Sequence, residues 1–134
     1  MSPVAMKILC MCKGYDLIHL ITDNTNWAGL PNGEYEWSEG RVVVKEENKV
    51  YVKGGTLAGS VASMNFDVSN MIREVGCSLQ QAVRMATINS AKVIGVQDRK
   101  GTITPGKDAD LVIIDDNIQV YFTMVKGEIV YRKI

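Results

Sequence analysis

The chain has 134 residues, of which 46% are hydrophobic and 22% are charged, so it can form one globular domain with a hydrophobic core. There are 15 Lys and Arg residues and 15 Asp and Glu residues, and this balance gives no electrostatic reason to expect nucleic acid or an anionic membrane as a partner. No apolar run reaches roughly 20 residues, so we expect no membrane span, and we expect no secretory signal. The three cysteines lack a repeating framework, which predicts reduced thiols in a cytoplasmic protein.

The first residues follow the pattern of an α/β unit. A short helix is predicted over 3–13, with Ser2 as its N-cap and Gly14 just after its end. The apolar run at 17–22 is typical of a buried strand in a parallel sheet. Asp23 follows directly, at the predicted C-terminal end of that strand, where α/β barrels carry their chemistry.

The middle of the chain changes in character and predicts a small antiparallel meander. Stretches rich in β-branched and aromatic residues alternate with polar turns, and they lie at 34–37, 41–45 and 49–53. A glycine-rich turn is predicted over 54–60. The apolar stripe that follows it predicts a helix over 61–75.

A second helix is predicted from Ser78, because Gln81 lies three residues later and completes a capping box. Its apolar face continues to Val93, and Gly95 is its expected end. The remaining residues are predicted to be β-structure, with strands at 110–115, 120–125 and 129–132. Because one strand of the buried parallel type cannot form a sheet, the pattern predicts that the chain is part of a larger α/β enzyme.

Several motifs resemble the C-terminal third of the N-acetylglucosamine-6-phosphate deacetylase family, a branch of the amidohydrolase superfamily. The most specific part combines Thr22-Asp23, Ala28-Gly29-Leu30-Pro31-Asn32-Gly33 and Gly55-Thr56-Leu57-Ala58-Gly59-Ser60. The stretch Gly106-Lys107-Asp108-Ala109-Asp110-Leu111-Val112 is less specific, because it occurs across the superfamily. The resemblance covers nearly the whole chain, but the segment Asn24-Thr25-Asn26-Trp27 departs from it, because relatives often have small residues there.

The resemblance implies an α/β fold class, namely a C-terminal fragment of a metallo-dependent hydrolase (β/α)8 barrel with part of a small β-sandwich domain. Residues 1–33 would form the last barrel helix and strand with the catalytic loop, and residues 34–53 the β-meander insertion. Residues 54–96 would form the glycine turn and two barrel-side helices. Residues 97–134 would form the C-terminal strands of the sandwich.

The resemblance also implies roles for single residues. Asp23 would be the catalytic aspartate, which takes a proton from metal-bound water and passes it to the leaving amine. From the residues alone, Asp23 is also consistent with a strand-end carboxylate that caps a turn. Leu57, Ala58 and Gly59 match the family segment whose backbone contacts the sugar, whereas the residues alone favour a tight glycine turn here. No P-loop pattern is present.

Members of that family use one or two divalent metals, of the zinc or iron type, and convert N-acetylglucosamine 6-phosphate into glucosamine 6-phosphate and acetate. Their metal-binding Glu and two His residues, a phosphate-binding Arg and a substrate-binding His lie earlier in the sequence and have no counterparts here. No metal ligand is therefore assigned to this chain. His19 is predicted to be a core or barrel-wall residue, and Trp27 fits both stacking on a sugar and simple packing.

Three functions fit these observations. The first is a portion of the deacetylase that is inactive alone, with an amino-sugar phosphate as substrate of the complete enzyme and a missing N-terminal part or a second copy as partner. The second is a non-catalytic module that associates with itself or with a partner through an exposed barrel strand. The third is part of an amidohydrolase acting on a cyclic amide or urea, and the segment Gly55–Ser60 argues against it.

Overall fold

The computed structural model describes residues 2–133 and divides into two units. The first unit contains the residues up to Leu20 and those from Asn65 onward. The second unit contains Ile21–Met64. Helices and antiparallel sheets are both present, so the fold is mixed α/β. Among the helices of the described chain, none is long and apolar enough to cross a membrane.

The first unit begins with helix α1 (Pro3–Lys13), which starts and ends where the sequence predicts. The Ser2 side chain accepts a hydrogen bond from a backbone N–H of the first turn, at 3.3 Å. At the other end, the Gly14 N–H donates to the Cys10 carbonyl at 2.9 Å. These bonds satisfy backbone groups that the helix itself leaves unpaired. A short 3₁₀ turn, Tyr15–Leu17, follows.

The two later helices differ from the predicted ones in length and continuity. The helix predicted over 61–75 begins as α2 (Met64–Asn70) and continues as a π-helical segment, Met71–Val75. The helix predicted from Ser78 divides into α3 (Leu79–Ala86) and α4 (Ile88–Val93). The break falls at Thr87, whose backbone angles of φ −127° and ψ −92° are not helical.

The core of the first unit is formed where α1 packs against the π-helical segment and α3. Its buried members come from these helices, from α2 and from two loop residues: Cys10, Val68, Met71, Val75, Cys77, Ala82, Met85 and Ile118. Met71 and Met85 are both core residues. Cys10 and Cys77 are buried free thiols, whereas Cys12 is exposed, so the two cysteines of α1 do not share a face.

The first unit also contains a three-stranded antiparallel sheet. Its strands are β5 (Leu111–Ile114), β6 (Val120–Val125) and β7 (Glu128–Arg132), in that order. The β6–β7 hairpin turns at Lys126-Gly127, as predicted. Residues 101–104, which the sequence analysis included in the β-structure, form no strand.

The second unit is built on a four-stranded antiparallel meander. Its strands are β1 (Gly33–Glu36), β2 (Val42–Glu46), β3 (Lys49–Val52) and β4 (Leu57–Ser60), in chain order. The first three confirm the predicted meander. The fourth occupies part of the predicted glycine turn and pairs with β3 across a register shift at Val50/Tyr51. Val43, Val50 and Val61 form the core of this unit.

The strand predicted over 17–22 is absent, and this prediction was wrong. Leu17 ends the 3₁₀ turn, and residues 18–23 join no ladder within the described chain. An apolar run specifies burial, but a strand also needs a neighbouring strand to satisfy its backbone. Ile21 is 71% exposed, and His19 is exposed rather than part of a core.

Candidate functional site

Asp23, the predicted catalytic residue, has an exposed side chain and a constrained backbone. Its φ angle is 50°, in the left-handed region. That region is disfavoured for most residues other than glycine, and aspartate is among the few that adopt it more readily. The Asp23 carbonyl accepts a hydrogen bond from the Ser60 N–H at 3.3 Å. The exposed carboxylate is therefore attached to a backbone that is fixed against β4.

Thr25 makes the second attachment to the same residue of β4. Its N–H donates to the Ser60 carbonyl at 2.9 Å, and its hydroxyl donates to that carbonyl at 3.1 Å. Between these bonds, Asn24 forms an isolated parallel bridge with Ser60. Parallel pairing, which the sequence predicts for 17–22, therefore occurs at one residue just beyond that range.

Gly59 allows this close approach. A Cβ built on Gly59 would lie 2.4 Å from Thr25 Cγ2 and 3.8 Å from the Asp23 carbonyl oxygen. The φ angle of Gly59 is 150°, which side-chain-bearing residues rarely adopt. The structure therefore brings the backbone of Asp23 next to Gly59. Along the same strand, Leu57 is 60% exposed, and Ala58 packs against the valine core of the second unit.

The far end of the loop 24–33 is also anchored. Lys45 is buried, at 7% exposed, and its Nζ donates to Asn32 Oδ1 at 3.1 Å and to the Glu47 carbonyl at 3.3 Å. The Glu47 N–H donates to the same Asn32 oxygen at 3.0 Å. In addition, the Tyr35 hydroxyl donates to the Pro31 carbonyl at 2.7 Å. Asn32 and Pro31, both in the Ala28–Gly33 motif, therefore attach the loop to the sheet.

Trp27 has a packing role in this loop. It is half-buried against Val43, Val50 and Val61. Its ring meets that of Trp37 edge to face, with centroids 5.9 Å apart and planes at 86°. Such contacts stabilise the loop through apolar burial and ring geometry. Of the two interpretations that the sequence left open, the structure supports packing.

Sequence reasoning did not find Thr25, Ser60 and Lys45 as members of this arrangement. Ser60 ends a recognised motif and Thr25 lies in a segment that departs from the motifs, so neither position indicates the other as its partner. The bond between them spans 35 residues of chain. A signal that could have found it is Gly59 itself, since a glycine inside a strand often marks a close backbone approach.

Comparison with known proteins assigns the family. Residues 17–130 match the model of the amidohydrolase family. The chain belongs to the amidohydrolase family. Among its relatives, the N-acetylglucosamine-6-phosphate deacetylase of Bacillus subtilis (strain 168) is 37% identical over 129 residues, which cover 96% of this chain and 32% of the relative.

Two further comparisons show what share of a relative's length this amidohydrolase chain covers. The crystal structure of N-acetylglucosamine-6-phosphate deacetylase from Pasteurella multocida superposes with a TM-score of 0.88 at 32% identity, over 96% of this chain and 34% of that one. A protein of Escherichia coli (strain K12), provisionally named N-acetylgalactosamine-6-phosphate deacetylase, is 35% identical over 127 residues, which are 95% of this chain and 75% of that protein. The chain thus spans about a third of the length of the Bacillus and Pasteurella proteins.

Deacetylases of the amidohydrolase family are in general metal-dependent, so the fit of the described residues to a metal can be tested. Within residues 2–133, no group of three or more His, Cys, Asp or Glu side chains could hold a metal ion. Asp23 offers one carboxylate, whereas catalytic zinc sites use three protein ligands. The described residues of this amidohydrolase therefore do not make a metal site by themselves.

Proposed function

We propose that this chain supplies the proton-transferring carboxylate and the sugar-contacting backbone of an N-acetylglucosamine-6-phosphate deacetylase. The observation that carries the proposal is the attachment of residues 23–25 to Ser60, which fixes Asp23 next to Gly59. The two segments that carry the proposed roles are thereby neighbours in space, although more than 30 residues separate them in sequence. Deacetylases of that name match this chain over nearly its whole length.

The chemistry of this proposal is amide hydrolysis. Water adds its oxygen to the acetyl carbon, the C–N bond breaks, and acetate and glucosamine 6-phosphate result. The Asp23 carboxylate accepts one proton from the attacking water and returns it to the leaving nitrogen. The hydroxyl proton that remains on the product acid also passes to the amine, which gives acetate and the ammonium form of glucosamine 6-phosphate. Leu57, Ala58 and Gly59 present their backbone to the sugar. We assign the divalent metal of the family, of the zinc or iron type, to ligands outside this chain.

The proposal includes a finer description of the fold. Residues 1–33 would contribute the last helix and the catalytic loop of a (β/α)8 barrel, with 34–53 as its β-insertion and 54–96 as the glycine turn and barrel-side helices. Residues 97–134 would belong to a small β-sandwich. Superposition on the Pasteurella protein at a TM-score of 0.88 supports this arrangement. The three free thiols agree with a cytoplasmic location, which we propose as well.

A chimera tests the catalytic assignment. In it, this chain replaces the matching region of the Bacillus subtilis deacetylase, and acetate release from N-acetylglucosamine 6-phosphate is measured with added Zn²⁺ or Fe²⁺. We expect activity in the chimera, and we expect Asp23→Asn to lower kcat by about 10²- to 10⁴-fold, the usual contribution of general acid–base catalysis. N-acetylgalactosamine 6-phosphate is assayed in parallel, because one relative carries that substrate in its provisional name.

The matched control is Glu36→Gln, which removes an exposed carboxylate from β1 of the same unit. It should leave kcat at the level of the chimera. A folded, active chimera whose kcat is unchanged by Asp23→Asn would contradict the role of Asp23. The isolated chain is expected to release no acetate, and metal-dependent hydrolysis by the isolated chain would overturn the assignment of the metal ligands to residues outside it.

A second function, as a module that associates with itself or with a partner, is favoured by the outer face of α1. Val4, Ile8 and Met11 lie at helical spacing on this helix and are 66%, 56% and 85% exposed. A continuous apolar stripe of this kind is typical of a surface that another chain or segment covers. This function differs from catalysis because it needs no metal and no substrate.

Light scattering during size-exclusion chromatography tests this second function. Self-association would give a mass above the 14.8 kDa of one chain, and Ile8→Lys would return the mass to that of a monomer. The control is Lys13→Ala, an exposed position at the end of the same helix, on the side opposite Val4. A wild-type chain that elutes as a single 14.8 kDa species at high concentration would count against self-association.

A further inference from the structure

We infer that Thr25 is a positioning residue, which acts on the reaction through Asp23 by clamping the turn that carries Asp23 onto β4. The clamp is a structural arrangement of the second unit, and its consequence for catalysis rests on the function proposed above. Thr25 does not itself touch the substrate in this scheme. It determines where the Asp23 carboxylate stands relative to the backbone of Leu57–Gly59.

The backbone of Asp23 is held in an uncommon conformation. A left-handed φ, here 50°, is infrequent for residues other than glycine, although aspartate tolerates it better than most, and neighbouring contacts hold the turn in place. Three hydrogen bonds to Ser60 act directly on this turn: one to the N–H of Ser60 and two to its carbonyl. Thr25 supplies both of the bonds to the carbonyl. The hydrogen bond from the Thr25 hydroxyl, at 3.1 Å, therefore reinforces the attachment that the backbone bonds to Ser60 already make.

The Thr25 methyl group fits a space that only glycine leaves. A Cβ at position 59 would lie 2.4 Å from Thr25 Cγ2, well inside van der Waals contact. Thr25 and Gly59 are therefore complementary in shape. They are also connected, because Thr25 donates hydrogen bonds to Ser60, the residue that follows Gly59. A larger residue at either position would push the Asp23 turn away from β4.

Ser60, the residue to which Thr25 binds, is itself held by further hydrogen bonds. Its hydroxyl donates to the Asn48 carbonyl at 3.4 Å and accepts from the Ala62 N–H at 3.0 Å. The following N–H, that of Val61, donates to the same Asn48 carbonyl at 3.2 Å. Thr25 thus binds to a fixed point of the sheet, and a displacement of Thr25 would be transmitted to Asp23 and not absorbed by Ser60.

Nuclear magnetic resonance of the isolated chain tests the clamp. The variants are Thr25→Val, which keeps the shape and removes the hydroxyl, and Thr25→Ser, which keeps the hydroxyl. We expect Thr25→Val to change the Asp23 Cα shift and its HN–Hα coupling, which report on φ. Exchange of the Ser60 amide should quicken by about five- to tenfold, as for the loss of one hydrogen bond. Thr25→Ser should preserve both readouts.

A second pair of variants tests the shape complementarity. Gly59→Ala should disturb the Asp23 signals, because the new methyl group meets Thr25 Cγ2. Combining Gly59→Ala with Thr25→Ser removes the Thr25 methyl group, Cγ2, and should return the Asp23 signals part of the way to their wild-type values. Thr102→Val, at an exposed position of the first unit, is the matched control and should leave these signals unchanged. Asp23 signals that stay at wild-type values in both Thr25→Val and Gly59→Ala would overturn the clamp.

The catalytic consequence is measured in the active chimera. Thr25→Val should lower kcat by about tenfold, in line with the cost of a small misplacement of a catalytic group, and should leave KM within about twofold. Thr25→Ser should recover kcat, which a nonspecific loss of stability would not predict. If Asp23→Asn proves harmless there while the Asp23 signals still respond to Thr25, the proposed function fails and the clamp remains. If kcat ignores Thr25→Val while Asp23→Asn abolishes activity, the positioning role is wrong.

Discussion

Asn89 is a buried side chain that links the segment after α1 to helix α4. It is 4% exposed, and its Nδ2 donates to the carbonyls of Tyr15 and Ile18, at 2.7 and 2.6 Å. These carbonyls belong to the 3₁₀ turn and to the extended segment that follows it, where no ladder satisfies them. One amide therefore provides the hydrogen bonds that a neighbouring strand would provide elsewhere.

Replacing Asn89 with Ala should lower the free energy of unfolding by about 1–3 kcal/mol, because it removes two hydrogen bonds and leaves two partly buried carbonyls without that donor. Urea denaturation followed by circular dichroism measures this change. Asn117→Ala is the control, since Asn117 is exposed and uses its backbone N–H, which Ala retains. Equal midpoints for the two variants would show that the Asn89 amide does not stabilise the unit.

The sequence identified Asp23 as a candidate but could not describe its setting. A motif indicates a residue type at a position, and that information is local. The bonds from Thr25 to Ser60 and the contact of Thr25 with Gly59 depend on how a loop meets a strand 35 residues later. The role of Asp23 in catalysis remains a proposal, whereas its attachment to β4 is a feature of the structure.

Elements that are specified by neighbouring residues were predicted well. The capping box at α3 is an example: the Ser78 side chain accepts from the Gln81 N–H at 3.2 Å, and the Gln81 side chain accepts from the Ser78 N–H at 2.8 Å. Both bonds connect residues three apart, so the pattern in the sequence suffices. The same holds for α1, which begins after Ser2 and ends before Gly14.

Ser78→Ala should destabilise the first unit by about 1 kcal/mol, the usual cost of losing an N-cap. The expected result is a lower urea midpoint with an unchanged slope, since the exposed surface of the unfolded chain is the same. Ser78→Asp keeps a capping oxygen and should lie close to the wild type. If Ser78→Asp is as destabilising as Ser78→Ala, the cap does not account for the effect.

Elements that depend on distant partners were predicted less well. The apolar run at 17–22 lacks a neighbouring strand within the described residues and is extended chain. Residues 57–60 form β4 because β3 pairs with them, although their glycine suggested a turn. The break at Thr87 lies where Gly101 packs closely: a Cβ on Gly101 would be 2.7 Å from Ile88 Cα. These contacts join residues that are far apart in the sequence, so the secondary-structure propensities of neighbouring residues do not predict them.

At the scale of the whole molecule, the response to pH depends on a charged network in the first unit. Lys100 binds both Asp108 and Asp110, and the Lys126 N–H donates to Asp110 at 2.8 Å. The hydrogen bond from Lys100 is the main cause that lowers the pKa of each carboxyl below its ordinary value; Arg99 adds to the effect at Asp108 and Lys126 at Asp110. The same bonds, with that to Asp110 the stronger, raise the pKa of Lys100.

These shifts predict how stability changes with pH. A carboxyl whose pKa is lower in the folded state stabilises the fold above its unfolded pKa of about 3.9, and this contribution disappears as the pH falls through the lowered value. The contacts that raise the pKa of Lys100 stabilise the fold fully below the unfolded pKa of about 10.4. This contribution is lost as the pH rises through the raised pKa of the folded state. The network therefore stabilises the fold most between these limits, and its stabilising contribution is lost in acid.

Asp110→Asn should accordingly destabilise the chain at pH 7, and the difference from the wild type should shrink as the pH falls and the wild-type carboxyl is protonated. Urea midpoints measured from pH 2 to pH 7 give this difference directly. Asp116→Asn removes an exposed aspartate from the β5–β6 turn and controls for the loss of one negative charge. A constant difference between Asp110→Asn and the wild type across this range would mean that the contact with Lys100 does not govern the acid response, since only a proton-linked contribution changes with pH.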